Sequence, residues 1–188
     1  MMENNSKLAE NIVDRVLASK EEIQKAVARI GAEITRDYEG KELFVIGVLK
    51  GGFMFMADLV REIQIPLQMD FIAVSSYGSS TKTSGVVRLI KDIDKPLDGK
   101  HLLIVEDIID SGVTLKYFKE MFATRGPLSI RVCTIFDKPS RRKVEMQGDY
   151  VGIEIPDEFV IGYGLDYDGK YRNLPDLCVL RRDVYEKE

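Results

Sequence analysis

Histidine and cysteine are scarce in this chain, which has one histidine and two cysteines. The histidine, His101, precedes an apolar run and has no serine or cysteine nearby that is arranged as a nucleophile, so a hydrolase that depends on histidine is disfavoured. Cys133 and Cys178 lie in apolar surroundings and lack the spacing of metal ligands. They are predicted to be reduced core residues rather than a disulfide or a metal site.

Long apolar runs are also missing, since none approaches the ~20 residues that a membrane span requires. Residues 1–20 contain acidic side chains and no apolar h-region, so no secretion signal is visible and we expect a cytoplasmic location. The net charge of -4 argues against nucleic acid or an anionic membrane as the main partner. The chain has no GxxxxGK[ST] sequence, which disfavours a P-loop nucleotide site.

The 188 residues, 45% of them hydrophobic, suit one globular domain in which strands alternate with helices. Helices are predicted from Lys20, where Ser19 and Glu22 form a capping-box pattern, over residues 53–63, and after the turn at residues 110–114. Strands are predicted over residues 12–17, 43–49, 71–76, 86–93, 102–105 and 130–136, with short strands near Val151 and Val160. This alternation indicates an α/β fold with a mostly parallel, twisted sheet flanked by helices.

The most informative segment begins where the apolar run 102–105 meets two acids, Glu106 and Asp107. These acids suit a ribose diol or a hydrated Mg²⁺, although they could instead complement a helix dipole. The turn that follows reads Asp110-Ser111-Gly112-Val113-Thr114 and leads into a helix, whose unpaired N–H groups suit a phosphate. A plain N-cap by Asp110 or Ser111 is the alternative. Phosphate, sugar and metal within one segment indicate a phosphoribosyl ligand.

Three more candidate sites follow strands, where ligands of such folds bind. Lys50-Gly51-Gly52 can form a concave set of N–H donors for an anion, or an ordinary turn. Lys138 can meet an exocyclic oxygen or a phosphate, or be an exposed lysine before proline. The aromatic, glycine and acidic residues of segment 159–172 can stack on a base, or belong to the core.

Residues 106–114 closely resemble the phosphoribosyl diphosphate (PRPP) motif of the type I phosphoribosyltransferases. The variant with Glu106-Asp107-Ile108-Ile109-Asp110 resembles members of that family that act on hypoxanthine and guanine. Segments 49–52, 75–78, 137–139 and 157–172 agree in order and spacing, so the resemblance runs from about Asn11 to Arg182. It implies a Mg²⁺-dependent purine salvage enzyme that transfers the 5-phosphoribosyl group from PRPP to hypoxanthine or guanine.

The resemblance also implies roles for the residues of the PRPP motif. Glu106 and Asp107 hold the ribose hydroxyls with a metal ion nearby, and Asp110 accepts the proton of the purine imidazole nitrogen. Residues Ser111 to Thr114, which include Gly112 and Val113, wrap the 5′-phosphate.

Further roles fall on the other matching segments. Lys50 and Gly51 contact pyrophosphate, with a non-proline cis peptide expected there, and Arg172 also meets pyrophosphate. Asp166 binds a second Mg²⁺. Ser76 and Tyr77 lie on a mobile loop, residues 76–86, that closes over the site.

Besides Asp110, the purine is implied to contact Lys138, Phe159, Val160 and Asp166. Lys138 meets its 6-oxo group, Phe159 stacks on its ring, and the backbone of Val160 hydrogen-bonds its edge, near Asp166. Residues 1–20 and 150–188 would form a small hood over the main sheet, and the family commonly forms homodimers or homotetramers. Relative preference among hypoxanthine, guanine and xanthine stays open, because Lys138 does not separate them.

One alternative of a different class is a PRPP-sensing regulator without catalytic activity. It would need a surface for nucleic acid or an added module, and the acidic balance and the compact length argue against it. A transferase for another base, such as adenine, is the third hypothesis.

Overall fold

The computed structural model describes residues 11–76 and 87–186. The helices in these ranges are α1 (Lys20–Asp37), α2 (Phe53–Glu62), α3 (Val113–Ala123) and α4 (Arg182–Tyr185). The strands are β1 (Val13–Ala18), β2 (Leu43–Leu49), β3 (Leu67–Ser76), β4 (Val87–Lys91), β5 (His101–Ile109), β6 (Ser129–Asp137), β7 (Tyr150–Glu154), β8 (Val160–Ile161) and β9 (Leu177–Leu180). Among the described helices, none combines the length and the apolar character that crossing a bilayer requires.

The larger sheet has six strands in the order β4-β3-β2-β5-β6-β7. All neighbours pair in parallel except β4, which lies antiparallel to β3 at one edge. The central strand β2 is buried along nearly its whole length, as expected for a parallel strand that is covered on both faces. The predicted fold class is therefore confirmed.

Two apolar cores lie on opposite faces of this sheet, because successive side chains of a strand point to opposite sides. On one face, Val45 and Leu103 pack with residues of α1 and α2. On the other face, Phe44 and Ile104 pack with α3, through side chains that include Phe118. The sheet is thereby held rigid, and the chain segments that follow its strands meet along one edge.

A smaller antiparallel sheet has the order β1-β9-β8. Strand β1 was predicted from residues 12–17, whereas β9 was not predicted at all, because it is only four residues long. Strand β7, which the sequence assigned to a terminal hood, pairs with β6 in the larger sheet instead. The division of the chain into a main part and a hood stays a prediction.

Strand β5 continues through the two acids to Ile109, so the predicted end at residue 105 was wrong. Pairing with β6 extends it, since Glu106 lies opposite Thr134 and Ile108 opposite Phe136. Strand β3 likewise begins four residues early, at Leu67, because it pairs with β2 from Leu43 onward. The lengths of β3 and β5 are set by pairing with neighbouring strands, and the periodicity of a single segment carries no information about its partner strand.

The capping box of α1 forms as predicted. The backbone N–H of Glu22 donates to Ser19 Oγ at 3.3 Å, and the backbone N–H of Ser19 donates to Glu22 Oε2 at 2.8 Å. We expect Ser19→Ala to lower the free energy of unfolding by about 1 kcal/mol, since a donor at the helix start loses its acceptor. Urea denaturation measures this change.

Ser140→Ala serves as the matched control. Ser140 is exposed, and its side chain makes no hydrogen bond to any other residue within the described ranges. Equal unfolding free energies for the two variants would show that the capping box does not stabilise α1.

Candidate active site

A cavity of about 880 Å³ opens where the ends of β5 and β6 face the small sheet. Its walls bring together four of the residues that the sequence assigned to the purine: Asp110, Lys138, Phe159 and Val160. They come from three separate chain segments. The pairing of β5 with β6 brings Asp110 and Lys138 together, and the hydrogen bond from Lys138 Nζ to the carbonyl oxygen of Glu158 holds the segment with Phe159 and Val160 beside them.

The acid pair lies beside this cavity, within β5. Asp107 is buried, Glu106 is partly buried, and Asp107 Oδ1 accepts a hydrogen bond of 2.8 Å from the backbone N–H of Ile108. Burial raises the pKa of Glu106 well above its ordinary value, and the charge of Asp107 raises it further. Burial also raises the pKa of Asp107, an effect opposed by hydrogen bonds and by the charge of Arg172. Two such carboxyls are costly without a cationic ligand.

The turn after β2 packs directly against this acid pair. The peptide bond between Leu49 and Lys50 is cis, so the non-proline cis peptide lies one bond before the Lys50–Gly51 bond where it was expected. A Cβ atom on Gly51 would collide with the Asp107 carboxylate, and a Cβ atom on Gly52 would lie 2.7 Å from the carbonyl oxygen of Val48. The chain can take this close path only because both residues are glycine.

The segment after β8 contributes an ion pair to the same region. Arg172 Nη2 lies 2.6 Å from Asp166 Oδ1, and Arg172 Nη1 donates to the carbonyl oxygen of Gly164 at 2.6 Å. A Cβ atom on Gly164 would collide with the carbonyl oxygen of Gly51, so this segment lies on the glycine turn. Arg172, Asp166, Gly51 and Asp107, predicted from distant parts of the sequence, are thus brought close together.

The turn between β5 and α3 decides between a cap and an anion site. The N-cap of α3 is Gly112, whose φ is +79°, and no side chain makes a capping hydrogen bond. The nearest substitute is a long bond of 3.4 Å from the N–H of Val113 to Ser111 Oγ. The alternative of an N-cap by Asp110 or Ser111 is therefore wrong, and among the described residues no side chain caps the first turn of α3, an arrangement that suits an anion.

Asp110 presents an acceptor to the cavity. Its Oδ1 lies 2.8 Å from Arg141 Nε, yet it is buried and has no well-aligned hydrogen-bond donor among the described residues. Arg141 also pairs with Asp157 at 3.1 Å, so its guanidinium spans two carboxylates. The Asp110 side chain as a whole is 45% exposed, so a ligand in the cavity can still reach its carboxylate.

Lys138 is buried, and only 7% of its surface is accessible. The alternative of an exposed lysine before proline is therefore wrong. Its ammonium donates one hydrogen bond of 2.5 Å, to the carbonyl oxygen of Glu158. Burial lowers the pKa of Lys138, and the nearby carboxylates of Asp110 and Asp157 oppose that change. The ammonium has further protons to donate toward the cavity.

Phe159 is 40% exposed and lies at the cavity wall. Tyr185 of α4 stacks on one face of its ring, with centroids 5.0 Å apart, and Tyr167 meets it edge-on at 5.8 Å. The carbonyl oxygen of Phe159 accepts a hydrogen bond from Leu180 of β9. Because backbone groups alternate sides along a strand, those of Val160 point away from β9.

Sequence reasoning missed three residues of this site. Arg141 pairs with Asp110, Arg142 binds the backbone around it, and Tyr185 stacks on Phe159. The adjacent arginines after a strand end are a visible signal, whereas nothing in the sequence links Tyr185 to Phe159.

Other predicted residues lie at or beyond the limits of the described ranges. Ser76 is the last residue of β3, while Tyr77 and the rest of the predicted loop, residues 77–86, fall outside those ranges. Within residues 11–76 and 87–186, no three histidine, cysteine or acidic side chains are placed to hold a metal ion by themselves.

Comparison with known proteins agrees with this geometry. The sequence model of the phosphoribosyl transferase domain family matches residues 15–168 of this chain. The fold and the site therefore define a phosphoribosyltransferase. The chain is 53% identical over 174 residues to the hypoxanthine-guanine phosphoribosyltransferase of Bacillus subtilis (strain 168), covering 93% of this chain and 97% of that protein.

The solved structures that this chain resembles include hypoxanthine phosphoribosyltransferases. A hypoxanthine phosphoribosyltransferase from Staphylococcus aureus is 43% identical with a TM-score of 0.93, and the match covers 100% of both chains. That of Trypanosoma cruzi is 43% identical with a TM-score of 0.88, covering 93% of this chain and 95% of that one. The chain therefore belongs to the hypoxanthine-guanine phosphoribosyltransferase family of purine salvage enzymes, which excludes the alternative of a regulator without activity.

Proposed function

We propose that this enzyme transfers the 5-phosphoribosyl group from PRPP to hypoxanthine and guanine, releasing IMP or GMP and pyrophosphate. The observation that carries the proposal is the cavity in which Asp110, Lys138, Phe159 and Val160 converge beside the turn before α3. The cavity offers an acceptor, a donor, an aromatic face and backbone polar groups, which together match the edge and the face of a 6-oxopurine.

In this proposal, Asp110 accepts the proton of the purine imidazole nitrogen. The position of its carboxylate in the cavity wall, where 45% of the side chain is exposed, supports this role. Losing that proton makes the imidazole ring of the purine more nucleophilic toward the anomeric carbon, and general-base help of this kind typically contributes about 10²–10⁴-fold. Arg141 would have to yield part of its contact with Asp110, and Asp157 offers it a second partner.

Lys138 would donate to the 6-oxo oxygen of the purine. An ammonium group has protons to donate and no lone pair to accept with, so it favours a carbonyl over the amino group of adenine. The burial of Lys138 strengthens this preference, because a misplaced partner would leave the ammonium desolvated and unpaired.

The phosphate groups would bind at two turns. The backbone N–H groups at the start of α3, at Ser111 to Thr114, would hold the 5′-phosphate. Lys50, Gly51 and Arg172 would meet the leaving pyrophosphate, whose negative charge grows during the reaction. The contact between Gly164 and Gly51 supports this grouping, because it holds the segment with Arg172 against the glycine turn.

The donor set fits Mg²⁺, a hard cation that prefers oxygen and keeps several water ligands. Glu106 and Asp107 would hold one ion through the ribose hydroxyls, and Asp166 a second one. Because three acids do not converge within the described ranges, oxygen atoms of PRPP and water would complete the coordination. Bound Mg²⁺ would neutralise charge on the departing pyrophosphate.

Phe159→Ala is expected to raise the KM for hypoxanthine roughly 10-fold while changing the KM for PRPP little. Aromatic stacking contributes about 0.5–1.5 kcal/mol beyond the burial of area, and the free face of the ring is the one not covered by Tyr185. Steady-state kinetics with each substrate varied in turn measures the effect. Phe159→Tyr keeps the ring and serves as the control; an effect of Phe159→Ala confined to PRPP would place the residue elsewhere.

The decisive experiment for the proposal is a spectrophotometric assay with PRPP and five purines, namely hypoxanthine, guanine, xanthine, adenine and purine, with and without Mg²⁺. We expect turnover of hypoxanthine and guanine that requires Mg²⁺, and little turnover of adenine. No turnover with any purine would reject the proposed reaction. Assembly as a homodimer or homotetramer and a cytoplasmic location remain predictions from the sequence.

A further inference from the structure

Arg142 holds together the backbones of the two residues that we assign to the imidazole nitrogen and to the 6-oxo oxygen of the purine. Only 16% of its side chain is exposed. Its Nη1 donates to the carbonyl oxygens of Ile109 and Asp110, each at 2.7 Å, and to that of Lys138 at 3.1 Å. One guanidinium nitrogen therefore connects the carbonyl groups on both sides of the Asp110 Cα with the carbonyl group of Lys138.

The remaining nitrogens fix the guanidinium itself. Nε donates to the carbonyl oxygen of Met146 at 2.9 Å, and Nη2 pairs with Asp137 Oδ1 at the end of β6. All three nitrogens are thus engaged, four of the five contacts being with backbone carbonyls. Such a planar fork with fixed directions is a property of arginine that lysine does not share.

The connection matters because the purine is rigid. The imidazole nitrogen and the 6-oxo oxygen are fixed within one ring system, so Asp110 and Lys138 can bind both atoms only at one separation. Strand pairing brings the two residues into the same region, with Lys138 N–H donating to the carbonyl oxygen of Ile109 at 3.0 Å. In addition to this backbone bond at Ile109, the Arg142 side chain binds the backbone carbonyl groups of both Asp110 and Lys138.

We propose that Arg142 is a positioning residue for the purine: it sets the distance between the proton acceptor Asp110 and the oxo-group donor Lys138. This inference rests on the proposed function. The phosphate turn has its own support, since the N–H of Lys143 donates to the carbonyl oxygen of Ser111 at 3.0 Å through backbone atoms alone. Loss of the Arg142 fork should therefore affect the purine far more than PRPP.

The test is the variant Arg142→Lys, which keeps the positive charge and removes the fork. We expect the KM for hypoxanthine to rise and kcat to fall, so that kcat/KM drops about 10- to 100-fold, the scale of an error of about 1 Å in positioning. The KM for PRPP should stay within about 3-fold of the unaltered enzyme, because PRPP contacts rest on other groups. Both substrates are varied on the full-length protein.

Arg125→Lys is the matched control. Arg125 forms two hydrogen bonds with Asp92, of 2.7 and 2.8 Å, after the end of α3, and it lies outside the cavity. The variant Arg125→Lys should lower the melting temperature as Arg142→Lys does, without changing the KM for hypoxanthine or the KM for PRPP. A second readout is a double-variant cycle: Lys138→Met should weaken purine binding less in the Arg142→Lys background, because the lysine is already misplaced there.

Equal changes in both KM values, or a lower melting temperature with unchanged kinetics, would overturn the positioning role. Additive effects of Lys138→Met and Arg142→Lys would overturn it as well. Failure of the proposed function looks different, since the unaltered enzyme would then not turn over hypoxanthine at all.

Discussion

Asp110→Asn is expected to lower kcat about 10²–10⁴-fold, the usual contribution of a general base. Asparagine has nearly the same shape and keeps an acceptor oxygen, but that oxygen cannot take up the proton. PRPP should still bind with nearly unchanged affinity, since the amides at the start of α3 do not depend on the Asp110 side chain. Steady-state kinetics with hypoxanthine, combined with calorimetric titration of PRPP, measures both quantities.

Asp157→Asn provides the matched control for this variant. Asp157 lies in the wall of the same cavity and shares Arg141 with Asp110, at 3.1 Å. Removing its charge should alter kcat by less than about 10-fold, since a pair between exposed groups contributes about 0–1 kcal/mol. Turnover by Asp110→Asn equal to that of the unaltered enzyme would exclude Asp110 as the base.

Gly51→Ala is expected to have the second large effect, a loss of about 100-fold or more in kcat/KM for PRPP. The added Cβ would overlap the Asp107 carboxylate, so either the acid pair or the turn after β2 must move. Displacement of reacting groups by about 1 Å can cost 10²-fold. Overpacking of this kind typically also costs about 1–3 kcal/mol of stability.

Gly40→Ala separates this collision from a general cost of replacing glycine. Apart from Gly40 and its two chain neighbours, no described residue has an atom within 4 Å of a Cβ atom built on Gly40, so its φ of +72° is what disfavours alanine. The control should lower the melting temperature and leave the kinetic constants unchanged. A Gly51→Ala enzyme with normal kcat/KM for PRPP would show that Gly51 and Asp107 are not held in close contact.

The elements of the fold could largely be predicted because their patterns are local. The strand over residues 43–49 and the capping box of α1 need only the order of apolar and polar residues within a few positions. Strand ends could not be predicted in the same way. Strand β5 runs on through Glu106 and Asp107 because β6 pairs with it, and that partner is more than twenty residues away in sequence.

Candidate site residues could be named from the sequence, but their environments could not. Lys138 carried no sign of burial, yet the packing of the segment around Glu158 encloses its ammonium. An N-cap by Asp110 or Ser111 stayed an alternative until the backbone placed Gly112 at that position. Arg142 and Tyr185 escaped notice because their contacts join segments that are remote along the chain.

The sequence by itself determined the class of fold, and it predicted the phosphate turn and the role of the acids that precede it. These follow from periodicity, from glycine where the backbone needs freedom, and from the affinity of helix starts for anions. Only the tertiary structure decided which residues meet. It buried the acid pair against Gly51, joined Arg172 to Asp166, and brought Asp110 and Lys138 to one cavity, because parallel strands deliver distant residues to the same edge of a sheet.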